Sequence, residues 1–341
     1  MQTKWWQGDQ AADIAEAALC LRQGELVAFP TETVYGLGAN ALDETAAQKI
    51  YAAKGRPSDN PLIVHIYDKA QLEQLVSYVP PKAEALMAAF WPGPLTLVLP
   101  RAQAVPDCVT GGLATVGIRM PDHPAALALL KACGLPLAAP SANTSGKPSP
   151  THAEHVYHDL SGRIAGIIDG GPTTVGLEST VLDVTIEPPV ILRPGGVSQE
   201  AIERVIGPVE ADTSLQDAED VPKAPGMKYK HYAPEAAVII CPGTPEEIAG
   251  QLKTVLAEEA RPLGLMISEE TAALLGEVPP RVSVRILGRR AQPETLAHEL
   301  FDALRWFDEQ PAEVIYTERF PDEQIGAALM NRLQKAAGAV S

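Results

Sequence analysis

The sequence predicts an α/β protein in two parts. Residues 1–207 read as a twisted mixed sheet with flanking helices, and residues 237–341 as a small doubly wound, Rossmann-like sheet. Three observations predict this. Short apolar runs in the first part, such as Val27–Phe29 and Leu95–Leu99, are bounded by prolines and glycines and separated by stretches of helical spacing. From Ala236 onward four apolar runs alternate strictly with helical stretches, the pattern of parallel βαβ units. Residues 208–236, between the two, are Pro-rich, acidic and without an apolar period, as a linker is. A chain of 341 residues also has room for two domains with ample cores.

The elements follow in order. Asp9–Leu21 carries apolar residues at 11, 14, 15, 18 and 19, a helical spacing that Gly24 ends. Val27–Phe29 is a buried strand stopped by Pro30. Asp43 caps the next helix, with Glu44 in its first turn and Ala46, Ala47, Ile50 and Ala53 on one face. Lys54 closes that helix and Gly55 takes the left-handed position after it. Arg56 precedes Pro57, which drives its backbone towards an extended form, so a cation sits on a stiff turn. Leu62–Ile66 is a strand with His65 opposite Leu62, Val64 and Ile66. Helices over 70–76 and 82–90 lead through Trp91-Pro92-Gly93-Pro94 into strand 95–99, where Thr96 reads as a β-former. Thr115–Arg119 is a strand ending in an arginine, and Pro124–Cys133 is a helix closed by Gly134. Strands follow at 137–139, 164–168, 181–184 and 190–193, and Ser198 caps a short helix that stops at Gly207. In the second part, strand 237–241 precedes a helix opened by the capping box Thr244-Pro245-Glu246-Glu247. Strand 263–267 precedes a helix capped by Ser268, strand 282–286 precedes helix 293–309, and strand 313–316 precedes the last helix. This part holds no glycine fingerprint and is assigned no nucleotide.

Composition narrows the function. Four cysteines, at 20, 108, 133 and 241, form no CxxC pair and no zinc spacing, which fits a reducing compartment. The start, MQTKWWQGDQ, has no apolar signal core and no run reaches membrane length, so a cytoplasmic location is expected. Net charge is −16, shared as −7 over 1–207, −3 over 208–236 and −6 over 237–341. No segment is a basic platform, which weighs against strong non-specific nucleic-acid binding.

The chemistry concentrates in residues 28–67. Thr31, Glu32, Thr33 and Tyr35 follow the first strand, then come the Lys54-Gly55-Arg56-Pro57 turn and His65. Such a set suits a polar, anionic ligand. The same turn is also what an ordinary solvated helix end looks like, and His65 also fits a core histidine. Gly36-x-Gly38-x-x-Ala41 imitates a dinucleotide fingerprint, but its strand ends too early, at Phe29. Pro140–Lys147 is hydroxyl-rich without being a Walker A loop, because Pro148 follows Lys147 and the leading glycine is missing. His152, His155 and His158 read as a solvated helix face, since 158 rotates away from the other two. Met227–Tyr232 packs two tyrosines and a histidine into a supposed spacer, and aromatics want burial or stacking; a lid over the first domain's cavity is expected.

The motifs PTETVYGLGANA, KGRPSDNPLIVHI, FWPGPLTLVL, GIRMPDHP, APSANTSGKPSPT, STVLDV and ILRPGG occur in that order across about residues 10–207. Together they resemble the YrdC-type threonylcarbamoyl-AMP synthase family. PGMKYKHYAPEA at 225–236 is similar to the linker of its longer, two-domain members, although Lys230 stands where relatives usually carry arginine. The resemblance implies a nucleotidyltransferase that makes threonylcarbamoyl-AMP and pyrophosphate from L-threonine, bicarbonate and ATP. The product would serve the modification of tRNAs that read ANN codons. It implies Thr33, His65, Arg119 and Ser179 for L-threonine, and Arg56, Asn60, Thr115, Ser141, Ser149, Arg193 and Tyr232 for ATP. Lys54 and Arg56 would offset charge on the leaving group, Tyr229 and His231 would belong to the lid, and Mg²⁺ would ride on the ATP phosphates with no protein cage. Downstream threonylcarbamoyl-transfer machinery, with or without direct tRNA contact, would be the partner. Three other classes stay open: a non-catalytic RNA-binding or ribosome-maturation module, a carbamoyl-transfer maturation factor, and a nicotinamide oxidoreductase. The second would need zinc-type cysteine pairs and an acylphosphatase-like segment, and the third rests on the imperfect glycine pattern alone.

Overall fold

A computed structural model describes residues 2–212 and 232–338. They form two compact units. The first takes the described residues up to Asp212, apart from Gly146–Pro148 and Val175–Leu177, which group with the described residues from Tyr232 on.

The first unit is built on β1 (Lys4–Gln7), β2 (Val27–Phe29), β3 (Gly36–Asn40), β4 (Ile63–His65), β5 (Leu95–Pro100), β6 (Thr115–Arg119), β7 (Leu137–Ala138), β8 (Gly166–Asp169), β9 (Thr180–Asp183), β10 (Val190–Arg193) and β11 (Glu210–Ala211). They make one mixed sheet in the order β1-β8-β2-β3-β7-β4-β6-β5-β9-β10-β11. The pairs β1/β8, β2/β8, β4/β6, β5/β9 and β10/β11 are parallel, and the others antiparallel. Burial of both faces explains why strands such as β2 and β5 read as unbroken apolar runs. Helices Ala11–Arg22 and Pro124–Cys133 cover the end carrying β2 and β8, with Ile14, Leu21, Leu129 and Leu130 packed on Val27, Phe29 and Ile168. Helices Glu44–Lys54 and Pro81–Phe90 close the larger core around Ile50, Val64, Leu86 and Leu97.

Local chemistry sets the helix ends as the sequence indicates. Asp43 accepts the N–H of Ala46, and Gly55 ends that helix at φ +63°. Three strands escape the sequence reading. β1 is short and half polar, yet Trp6 is buried over Gly166, where a Cβ would lie 2.2 Å from the ring. β3 contains the two glycines of the supposed fingerprint. Gly36 opens the strand and Gly38 sits inside it, both against Phe29; a Cβ on Gly38 would come 2.8 Å from that ring, so Gly38 makes room for an aromatic. β11 falls inside the stretch expected to be linker, which therefore begins within the sheet. The rest of that stretch, 213–231, lies outside the described residues, and with it Tyr229 and His231.

The second unit carries β12 (Ala237–Cys241), β13 (Leu263–Ser268), β14 (Val282–Gly288) and β15 (Val314–Glu318) in the order β12-β15-β13-β14, all parallel. Strand order and the alternating helices match the βα pattern of the sequence. The Thr244/Glu247 capping box is formed, and Ser268 caps its helix. Leu263, Leu265, Ile267, Ile248 and Leu252 make the core. Among the described residues no helix is long and apolar enough to cross a membrane.

Candidate active site

Arg119 ends β6 with its guanidinium buried and each of its three nitrogens set against a partner. Nε donates to the Gly93 carbonyl at 3.2 Å, Nη1 donates to Thr33 Oγ1 at 2.8 Å, and Nη2 lies 2.6 Å from Glu32 Oε1. Glu32 Oε2 accepts the N–H of Asp122 at 3.0 Å. The Thr31-Glu32-Thr33 segment is held by its own hydroxyl: Thr31 Oγ1 donates to the Val34 carbonyl at 2.7 Å and accepts the N–H of Thr33 and Val34. Arg119 and Glu32 expose only 4% and 7% of their side chains, so each needs the other. Deleting either would strand a buried charge, at a cost of about 3–5 kcal/mol. The sequence reading gave Glu32 no role. A buried arginine requires a counter-charge, and Glu32, flanked by the site hydroxyls, supplies it.

His65 sits across from Arg119 in the β4/β6 ladder. Its Nδ1 lies 3.3 Å from the Ile63 carbonyl, and its ring meets Phe29 edge-on at 5.9 Å. Burial, and secondarily the Arg119 charge, pull its pKa down to about 3. The imidazole is therefore neutral at physiological pH and offers a hydrogen-bonding group, not a cation.

The same row continues across the sheet. Leu97 pairs with Ile118, which sets Thr96 beside Arg119; Thr96 pairs with Val181, and Val181 with Arg193. Arg193 Nη2 donates to the Ser179 carbonyl at 2.9 Å and to Ser179 Oγ at 3.2 Å. Thr96 Oγ1 lies 2.8 Å from Ser179 Oγ. Gly195 lets this happen: a Cβ there would stand 2.3 Å from the Ser179 carbonyl carbon. Thr33, His65, Arg119, Ser179 and Arg193 are thus brought to one band of the sheet. Thr96, read from sequence as a plain β-former, belongs to it.

Other candidate residues flank this band. Arg56 Nη2 donates to the Pro61 carbonyl at 3.1 Å, and Pro61, Ile63, Val98, Thr115, Gly117 and Val181 line one small cleft. Asn60 is buried, and its Oδ1 has no hydrogen-bond partner among the described residues. Lys54 is buried too, and its ammonium donates to the Ser141 and Asn143 carbonyls at 2.5 Å. A buried ammonium needs acceptors, and these two make Lys54 a brace for the 141–143 loop. Ser141 Oγ donates to Asn143 Oδ1 at 2.6 Å, and Ala139, two residues earlier, hydrogen-bonds the Ile63 carbonyl at 2.8 Å. Ser149 Oγ donates to Glu178 Oε1 at 2.6 Å, a second buried carboxylate that sequence reading passed over. Tyr232 belongs to the second unit, with its ring 5.0 Å from Phe301 and Arg332 5.7 Å above it. His152, His155 and His158 make no metal cluster, and none of three or more such ligands occurs among the described residues.

Comparison with known proteins shows the family. Residues 20–195 match the Sua5/YciO/YrdC family, described as Telomere recombination, and residues 197–338 match the C-terminal domain of threonylcarbamoyl-AMP synthase. The threonylcarbamoyl-AMP synthase of Bacillus subtilis is 56% identical over 99% of both chains. That of Pyrococcus abyssi is 50% identical over 94% of this chain and 93% of its own. A crystal structure of P. abyssi Sua5 complexed with L-threonine superposes with a TM-score of 0.92 at 47% identity, covering 99% of this chain and 98% of the other. E. coli YciO, at 27% identity and a TM-score of 0.51, covers 57% of this chain and 96% of its own. The chain is an enzyme of the nucleotidyltransferase type, and it belongs to the Sua5/YciO/YrdC family in its two-domain, threonylcarbamoyl-AMP synthase form.

Proposed function

We propose that this enzyme joins L-threonine, bicarbonate and ATP into threonylcarbamoyl-AMP, releasing pyrophosphate and water. The observation that carries the reading is the single band in which Arg119, braced by Thr33 and Glu32, lies beside Thr96, Ser179 and Arg193. An oriented guanidinium suits the amino acid's carboxylate, while Arg193, Arg56 and Asn60 supply groups for a nucleotide. The relative crystallised with L-threonine supports the amino-acid half.

The chemistry needs positioning and charge compensation more than a covalent nucleophile. The threonine amine attacks bicarbonate and water leaves, giving a carbamate. A carbamate oxygen attacks the α-phosphorus and pyrophosphate departs. Thr33, His65, Arg119 and Ser179 orient the amino acid. Arg56, Asn60, Thr115, Ser141, Ser149 and Arg193 hold the nucleotide, and Arg56 compensates charge on the leaving group. Lys54 acts by fixing the loop that carries Ser141. Mg²⁺ would travel on the triphosphate, held by phosphate oxygens and water, and supply charge neutralisation there. The product would pass to a threonylcarbamoyl transferase acting on tRNAs that read ANN codons, in the cytoplasm. The test is pyrophosphate release from ATP with threonine and bicarbonate omitted in turn. Release that persists without threonine overturns the reading.

A further inference from the structure

Thr96 is buried in mid-strand and is fully inaccessible. Among the described residues its hydroxyl has one hydrogen-bond partner, Ser179 Oγ at 2.8 Å. Ser179 is buried as well, and its hydroxyl already accepts a hydrogen from Arg193 Nη2 at 3.2 Å. A hydroxyl carries one hydrogen and two lone pairs. If Ser179 donated to Thr96, the hydrogen of Thr96 would have no acceptor at all, in a place where an unmade hydrogen bond is costly. With Ser179 as the residue that meets L-threonine, the arrangement in which every hydrogen finds an acceptor has Thr96 donating to Ser179 and Ser179 donating to the ligand. Both lone pairs of Ser179 Oγ are then filled, by Arg193 and by Thr96, and its one hydrogen is left to point away from both.

We propose that Thr96 is a positioning residue that fixes the polarity of Ser179, so that Ser179 meets the amino-acid substrate only as a hydrogen-bond donor. It would therefore engage an oxygen of L-threonine and never its ammonium group. Arg193 draws the same serine from the nucleotide side, so the polarity is set by one residue from each half of the site. This rests on the assignment of L-threonine to this band under the proposed function.

The test is calorimetric titration of the full chain with L-threonine, with thermal melting alongside. Thr96→Val keeps the shape and removes the donor, and it should weaken L-threonine binding about tenfold. Thr96→Ser keeps the donor and should stay within about twofold of the unaltered protein, a rescue that a purely structural role of the side chain would not give. Should the valine variant fail to fold, Thr96→Cys, a poor donor of similar size, carries the same expectation. Unchanged affinity in the valine or cysteine variant overturns the proposal, as does equal weakening in the serine variant, and both leave the proposed function standing. An unaltered protein that binds no L-threonine overturns both.

Discussion

At the scale of single residues, the band works because charge and hydrogen-bond direction are settled before any ligand arrives. His65 shows the cost. In the unfolded chain its imidazole takes a proton near pH 6.5, whereas in the fold it stays neutral down to about pH 3. Between those values the unfolded state binds the extra proton, so stability falls as pH drops through that window, by up to about 1.4 kcal/mol per pH unit. His65→Gln removes this titration, and its urea midpoint should fall less between pH 7 and pH 5 than that of the unaltered protein. Arg56 behaves differently, because its bonds run to nearby backbone carbonyls and it is only partly buried. Arg56→Ala should lose most threonine-dependent pyrophosphate release, roughly a hundredfold or more, with little change in melting temperature; near-normal turnover would remove it from the machinery. Residue types were legible in the sequence where a turn fixes them, as at Lys54-Gly55-Arg56-Pro57. Glu32 and Thr96 were not, because their roles depend on Arg119 and Ser179, 87 and 83 positions away along the chain.

At the scale of elements, the sequence reading succeeded where period and caps agree. The helix from Asp43 to Gly55 and the alternation after Ala236 are examples. It failed at β1, β3 and β11, which are short, or glycine-bearing, or polar. Their strand character comes from the neighbour they pair with, and nothing local reports that. Lys54, expected to offset charge on the leaving group, places its ammonium on the Ser141 and Asn143 carbonyls, two contacts that no local pattern reports. The Pro194-Gly195-Gly196 turn is an element whose composition is dictated by proximity. A methyl at Gly195 would strike the Ser179–Thr180 peptide at 2.3 Å, and neither backbone can yield cheaply. Gly195→Ala should therefore lower the melting temperature by several degrees and depress threonine-dependent turnover together, as melting scans and pyrophosphate release would show. Turnover preserved at full stability would mean that the turn has slack.

At the scale of the whole molecule, two sheets of different kind each carry their own core, one mixed and one parallel. Charge is −16 and spread along the chain, with the buried Arg119 paired to Glu32. The protein should pass a heparin column without retention at about 0.1 M salt and neutral pH, since no segment of its sequence is a basic platform. Retention that fades steeply with salt would show a phosphate-binding surface outside the band. The brace at Lys54 has a further use. Amine-acylating reagents should quickly tag Lys4 and Lys49, whose side chains are about half in solvent, and should spare Lys54 between its two carbonyls. Mass spectrometry of that one amine then becomes a clock for the first unit, because a tag on Lys54 records a moment when the 141–143 loop had come undone.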